Sequence, residues 1–249
     1  MDPLRPPGAP WLLVRLHSVD STQTVAGDLA EQGAPEGTVV LAELQRAGRG
    51  RRGRRWLSPE GGLYLSLILR PRRKALLQTL PLLASLAVAG AVRETTGLPA
   101  MVRWPNDVTV GGRKVSGAIA ESSIQGRSLS YVVVGVGVNC NAPAPSLPGA
   151  GATALAAEVG APVRVRDLEA SILGRFERLY AAWSAGRPLR DAGALLSTPG
   201  RTVRVKRSGE SRTTLYRVLA IRRDGALEVV RGGERLCLYA EDVEWLREV

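Results

Sequence analysis

Between two apolar stretches lies Arg46-Ala47-Gly48-Arg49-Gly50-Arg51-Arg52-Gly53-Arg54-Arg55, six arginines and three glycines in ten positions. Like charges at this density repel one another, and glycine backbone loses too much entropy on ordering for a helix or strand to form unaided. The segment is therefore a loop. Its flanks restrict it further, because Thr38-Val39-Val40-Leu41-Ala42-Glu43 and Gly61-Gly62-Leu63-Tyr64-Leu65-Ser66-Leu67-Ile68-Leu69 read as core strands. Pinned at both ends, the loop can turn backbone N–H groups and guanidinium forks inward, an arrangement suited to a phosphate or a carboxylate. The alternative is a solvated basic run or a nucleic-acid patch, the usual meaning of such a charge block. Neither common phosphate loop is present: no Lys-Ser or Lys-Thr follows the glycines, and no Gly-x-Gly-x-x-Gly opens a helix.

Lys plus Arg at 34 against Asp plus Glu at 23 leaves a net charge of +11, and the loop's six arginines account for more than half of it. The charge balance alone is thus no argument for DNA. Cys140 and Cys237 belong to no Cys-x-x-Cys pair, which excludes a disulfide framework and a zinc ribbon on spacing and fits a reducing cytoplasm. Residues 1–10, with four prolines, read as a flexible arm rather than a targeting segment. The apolar run from Leu76 to Val92 contains Gln78 and Pro81 and reads as a buried helix, so no membrane association is expected.

Along the chain, a strand at 11–16 leads to Asp20-Ser21-Thr22, which reads as a cap for a helix ended by Gly33. His17 is taken as a strand-end residue. A second helix spans 80–96 and stops at Gly97; Met101 to Trp104 is a strand, and Val108 to Val110 turns at Gly111-Gly112 into a strand from Lys114 to Glu121. Strict alternation would put Val115, Gly117, Ile119 and Glu121 on one face of that strand, with Gly117 letting a ligand approach the backbone. Tyr131 to Asn139 is a buried strand, 142–149 a Pro-rich loop, and 153–159 and 167–184 helices, the second capped by Asp167. After Pro199-Gly200 four short strands follow, at 202–205, 215–221, 227–230 and 235–239, a small all-β unit read as a barrel.

Four blocks, in order, carry a family resemblance: Gln45 to Pro59, Arg103-Trp104-Pro105-Asn106-Asp107, Arg113-Lys114-Val115-Ser116-Gly117 and Gly135-Val136-Gly137-Val138-Asn139. Together they resemble the biotin protein ligases over nearly the whole chain. The resemblance implies an α+β fold: a mixed central sheet covered by helices, like the class II synthetases, followed by a small C-terminal SH3-like β-barrel. The implied division is an arm at 1–10, a catalytic domain at 11–197 and a barrel at 198–249. It also implies ATP-dependent formation of biotinyl-5′-AMP with Mg2+, then transfer to a lysine of a biotin carboxyl carrier protein in the cytoplasm.

Carried over by position, the resemblance places Ser21, Thr22, Gln23, Gln45, Arg49, Gly50, Arg51, Lys114 and Gly117 against biotin. Gln23 stands where the family usually has Asn. Arg49, Arg51, Arg54, Trp56, Lys114 and Asn139 are placed against ATP or the adenylate, with Trp56 equally readable as a core anchor. Joining a carboxylate to an α-phosphate brings two anions together and requires fixed cations, for which Lys114 and Arg51 are the catalytic candidates. Asp107 is the candidate metal ligand, while Asn106 reads as structural. Only some ten residues precede the first strand, so neither a helix-turn-helix nor DNA binding is expected. A homodimer is compatible with the resemblance. Two rivals share some features: a lipoate ligase, with the same fold and chemistry, and a nucleic-acid module built on the arginine loop, weakened by its lack of interleaved aromatics. The loop itself is expected to order only when an anion binds.

Overall fold

The structure, a computed structural model, describes residues 11–72, 76–126, 128–143, 147, 151–187 and 192–249. The expected arm at 1–10 and part of the 142–149 loop lie outside the described residues.

Seven strands form a mixed sheet: β1 (Leu12–Val19), β2 (Thr38–Gln45), β3 (Leu63–Leu69), β4 (Met101–Arg103), β5 (Asp107–Val110), β6 (Arg113–Gln125) and β7 (Ser128–Val138), in the order β1-β2-β3-β7-β6-β5-β4. Among these seven strands only β1 and β2 pair with each other in parallel, because α1 (Thr22–Glu31) carries the chain back across the sheet between them. Helix α1 starts at Ser21, whose side chain accepts from the Gln23 N–H, so the capping expected there is present. Helix α2 (Leu80–Thr96) carries Pro in its first turn and ends on Gly97 at φ 72°, as its sequence signals require.

The sheet is covered on both faces. Leu65, Leu67 and Leu69 of β3 join α2, Leu155 of the short α3 (Leu155–Val159) and α4 (Val165–Ser184) in the main core, whereas Val40, Ile68 and Val133 pack with Ala26 and Ala30 of α1. Strand β7 shows how the sequence writes both faces. Val132, Val134, Val136 and Val138 point into the main core, each contributing about 1.5–3 kcal/mol by burial, and the residues between them face α1 and the space beyond its N-terminus. Two of those alternates are Gly135 and Gly137, which leave that space open.

Three expectations need correcting. Helix α4 begins at Val165 with Arg164 at its N-cap, and Asp167 sits inside the first turn, where a carboxylate suits the helix dipole without capping it. The β5–β6 register shifts between Val108 and Thr109, so Val115 is an extra residue and joins the main core; Lys114, not Val115, shares the face of Gly117 and Ile119. The C-terminal unit has five strands, not four: β8 (Thr202–Arg207), β9 (Thr213–Ile221), β10 (Leu227–Arg231), β11 (Glu234–Leu238) and β12 (Val243–Glu248), antiparallel in the order β11-β10-β9-β8-β12.

This second sheet has its own cluster, built on Val203, Val205, Val218, Leu227, Val229 and Leu238, and Trp104, in the turn directly after β4, is buried in it. The Trp104 indole donates to the Gly225 carbonyl at 2.8 Å and its backbone N–H to Thr198 Oγ1 at 3.0 Å. Among the described residues no helix is long and apolar enough to cross a membrane.

Candidate active site

Every residue expected at the site lines one cavity of about 1380 Å3 between the two sheets. Its inner end is neutral. Thr22 sits in the first turn of α1 and Gln45 at the end of the adjacent parallel strand, so the α1 start and the β2 end meet by topology. Gln45 Oε1 accepts from the Thr22 backbone N–H at 2.8 Å and its hydroxyl at 3.1 Å, and Gln45 Nε2 donates to Ser58 Oγ at 2.8 Å. Behind them Gln23 is only 3% exposed, donating to the Val133 carbonyl and accepting from Ser66 Oγ. The long side chain that replaces the family's Asn thus turns into the wall.

The floor of the cavity is glycine. A Cβ on Gly135 would stand 2.5 Å from Gln23 Oε1, and one on Gly137 would stand 2.4 Å from the indole nitrogen of Trp56. Trp56 lies across Gly137 and Gly117 with its Nε1–H buried and unpaired, and Lys114 Nζ stands 5.2 Å from the ring centroid. An orphaned buried donor costs about 1–3 kcal/mol, so Trp56 is not placed as a satisfied core anchor. Asn139 is buried, its Nδ2 donating to the Thr153 carbonyl.

The middle of the cavity is cationic. Asp107 takes Lys114 Nζ on one oxygen at 2.5 Å and Arg103 Nη2 on the other at 3.2 Å, which fixes the ammonium group beside Trp56. Both oxygens of the expected metal ligand are therefore engaged. No group of three His, Cys, Asp or Glu among the described residues is placed to hold a metal ion, so a Mg2+ here would be held by Asp107 together with the substrate's phosphates rather than by an all-protein cage.

The arginine loop forms a small hairpin, with Arg49 bridging Arg55 around a short 3₁₀ turn at Arg51–Gly53 in which Arg52 adopts φ 59°. Its guanidinium groups divide. Arg51 turns inward, donating to Asn106 Oδ1 at 3.2 Å and to the Ala240 carbonyl; burial first, then Arg52 and Arg54, push its pKa below the usual arginine value. Arg49 pairs with Glu121 at 2.8 Å, Arg52 reaches Ser208 and the Glu241 carbonyl, and Arg54 and Arg55 bond the loop's own carbonyls at Arg51 and Arg46. Asn106 also donates to the Ala118 carbonyl, so it joins the loop to β6 and is structural, as its sequence reading has it.

Sequence reasoning missed the far wall, where residues 243–249 and Arg201 line the cavity. The signal for β12 was only the two-residue spacing of Val243 and Trp245 at the end of the chain.

Residues 16–139 match the Biotin/lipoate A/B protein ligase family. The biotin–[acetyl-CoA-carboxylase] ligase of Mycobacterium tuberculosis is 30% identical over 96% of this chain and 91% of its own length. The bifunctional ligase/repressor BirA of Bacillus subtilis is 43% identical over 48% of this chain, a match that spans 38% of that protein. Among solved structures, the Aquifex aeolicus biotin protein ligase in complex with biotin and ATP superposes with a TM-score of 0.80 and 28% identity, covering 96% of this chain and 99% of that one.

Proposed function

The chain belongs to the biotin/lipoate A/B protein ligase family, and from that premise we propose that it activates biotin with ATP to biotinyl-5′-AMP and transfers the biotin to a lysine of a biotin carboxyl carrier protein, acting in the cytoplasm. One observation carries the reading: a single cavity runs from a neutral, directional hydrogen-bonding end at Thr22 and Gln45 to a cationic middle at Lys114, Arg49 and Arg51. A molecule with an uncharged cyclic urea at one end and a carboxylate at the other matches that polarity.

In the first step a biotin carboxylate oxygen bonds to the α-phosphorus and the bond to the departing pyrophosphate breaks. Both reactants are anions, and Lys114 and Arg51 offset their repulsion and the charge of the five-coordinate phosphorus. Asp107 keeps Lys114 in place, so the ammonium need not reorganise when that charge develops. In the second step the acceptor lysine's amine attacks the biotinyl carbonyl carbon, AMP leaves, and the amine loses a proton. Residues 11–197 supply this chemistry, and 198–249 close the cavity through β12 and the turn at Ala240.

Biotin-dependent exchange of labelled pyrophosphate into ATP tests the proposal. Exchange with biotin and none with lipoic acid is expected; exchange with lipoic acid alone would make the protein a lipoate ligase.

A further inference from the structure

The wall behind the neutral end of the cavity is an unbroken hydrogen-bonded chain whose proton directions are set from its two ends. At one end the Val133 carbonyl can only accept, so the Gln23 group facing it at 3.0 Å is the NH2 and its oxygen faces Ser66. Ser66, fully buried, gives its one proton to that oxygen at 3.1 Å, which leaves its own oxygen to Thr22 as an acceptor at 2.9 Å. The Thr22 proton has two internal acceptors, Ser66 Oγ and Gln45 Oε1. At the other end the Thr22 backbone N–H can only donate, which sets Gln45 with its oxygen inward; Gln45 Nε2 donates to Ser58 Oγ, and Ser58 donates on to the Trp56 carbonyl at 3.2 Å.

We propose that Ser66 and Gln23, both buried behind Thr22, are specificity-determining positioning residues: by holding the Thr22 proton inside the wall they make the Thr22 hydroxyl an acceptor only, paired with a donor on Gln45. The cavity then requires a ligand that presents an N–H to Thr22 and a carbonyl to Gln45 Nε2. A cyclic urea meets both demands, whereas a ring with oxygen at the N–H position sets two acceptors face to face. The inference rests on biotin being the ligand, and it assigns Gln23 a different task from direct contact: its amide is used up between Val133 and Ser66. The same positioning explains why position 135 is glycine, since a side chain there would strike Gln23 Oε1.

Calorimetry on the full chain would compare biotin with the two isosteres in which one or the other ring N–H is replaced by oxygen. The parent should prefer biotin to one isostere by roughly 10–100-fold, the cost of an unmatched buried acceptor. Ser66→Ala removes the nearer of the two acceptors that hold the Thr22 proton inward and leaves only the longer contact to Gln45 Oε1, and Gln23→Met, close in volume, breaks the chain from its other end; in either variant the preference should shrink about tenfold while biotin still binds. Biotin and isosteres weakened in equal proportion by both variants would reduce the chain to scaffolding and overturn the inference. So would a parent that binds both isosteres as tightly as biotin, a result that needs no variant to fold. A parent that binds no biotin would sink the proposed function first, and the two failures are distinguishable.

Discussion

The two walls of the cavity recognise different chemistry and are built in opposite ways. The neutral wall, at Thr22, Gln23, Gln45 and Ser66, consists of side chains on strands and a helix start, all but Gln45 buried, bonded to one another and tied to backbone through Gln23 and Gln45. The cationic wall, at residues 46–55, is held by contacts at the surface: Arg49 with Glu121, both nearly half exposed, and Arg52 with Ser208 and Glu241. Exposed ion pairs contribute about 0–1 kcal/mol, so an anion can replace them at little cost. Directional selection of a neutral ring is best served by groups that do not move, whereas charge can be met by an arm that exchanges protein partners for the ligand's.

The largest predicted effect tests whether the fixed cation belongs with the rigid wall. Lys114→Ala should lower adenylate formation by about 10²–10⁴-fold in single turnover, since a preorganised charge is lost; a parent-like rate would assign the chemistry to the arm alone. Next is the joint between the sheets. Trp104→Ala should destabilise the protein by about 3–5 kcal/mol, read by denaturant melts, because the indole fills the second sheet's core. Ending the chain near Ser197, the implied boundary between the two domains, should expose the Trp104 side chain otherwise buried in the removed unit, release Arg51 from Ala240 and abolish activity. A truncation that keeps full activity would make the second sheet dispensable.

A smaller effect separates the walls directly. Gly137→Ala puts a methyl against Trp56 and should cost about 1–3 kcal/mol in ligand binding, measured calorimetrically, since the floor cannot yield. Arg52→Ala should leave biotin affinity within about twofold and release adenylate a few times faster, the size expected of an exposed latch. Equal losses in the two variants would erase the distinction drawn between them.

The smallest effect is a pH dependence. Burial pushes the Cys140 thiol, just beyond the glycine strand, up to about 12, and it raises Tyr64 and Tyr180 as well. A raised pKa means that the folded state holds the proton: the stabilisation is complete below the unfolded thiol value of about 8.5 and is lost as pH rises from there towards 12. Melting temperature should fall above pH 9, and less steeply in Cys140→Ala. Alkylation at pH 8 should modify Cys237 while leaving Cys140 untouched until unfolding.

Much of this was legible in the residues. Alternation in Tyr131–Asn139 wrote the buried valines and the bare glycines onto opposite faces, and Pro81 and Gly97 bounded α2 because start and stop signals are local. The arginine loop and the Lys114 strand were identifiable from composition and spacing. What local signals could not supply was phase and partnership. The bulge at Val115 that turns Lys114 to the cavity arises from a mismatch between two strands, which neither strand carries alone. Trp104 reads as any apolar residue ending a strand, and only packing assigns it to the other sheet's core. Gln23 reads as a substituted contact until Val133 and Ser66, 110 and 43 residues away, claim both ends of its amide. The sequence by itself therefore determined the elements and the chemistry they carry, because backbone propensity and side-chain type are properties of single residues and their neighbours. Tertiary structure alone decided which way each polar group faces, because a proton's direction is set by whichever partner the fold brings within 3 Å.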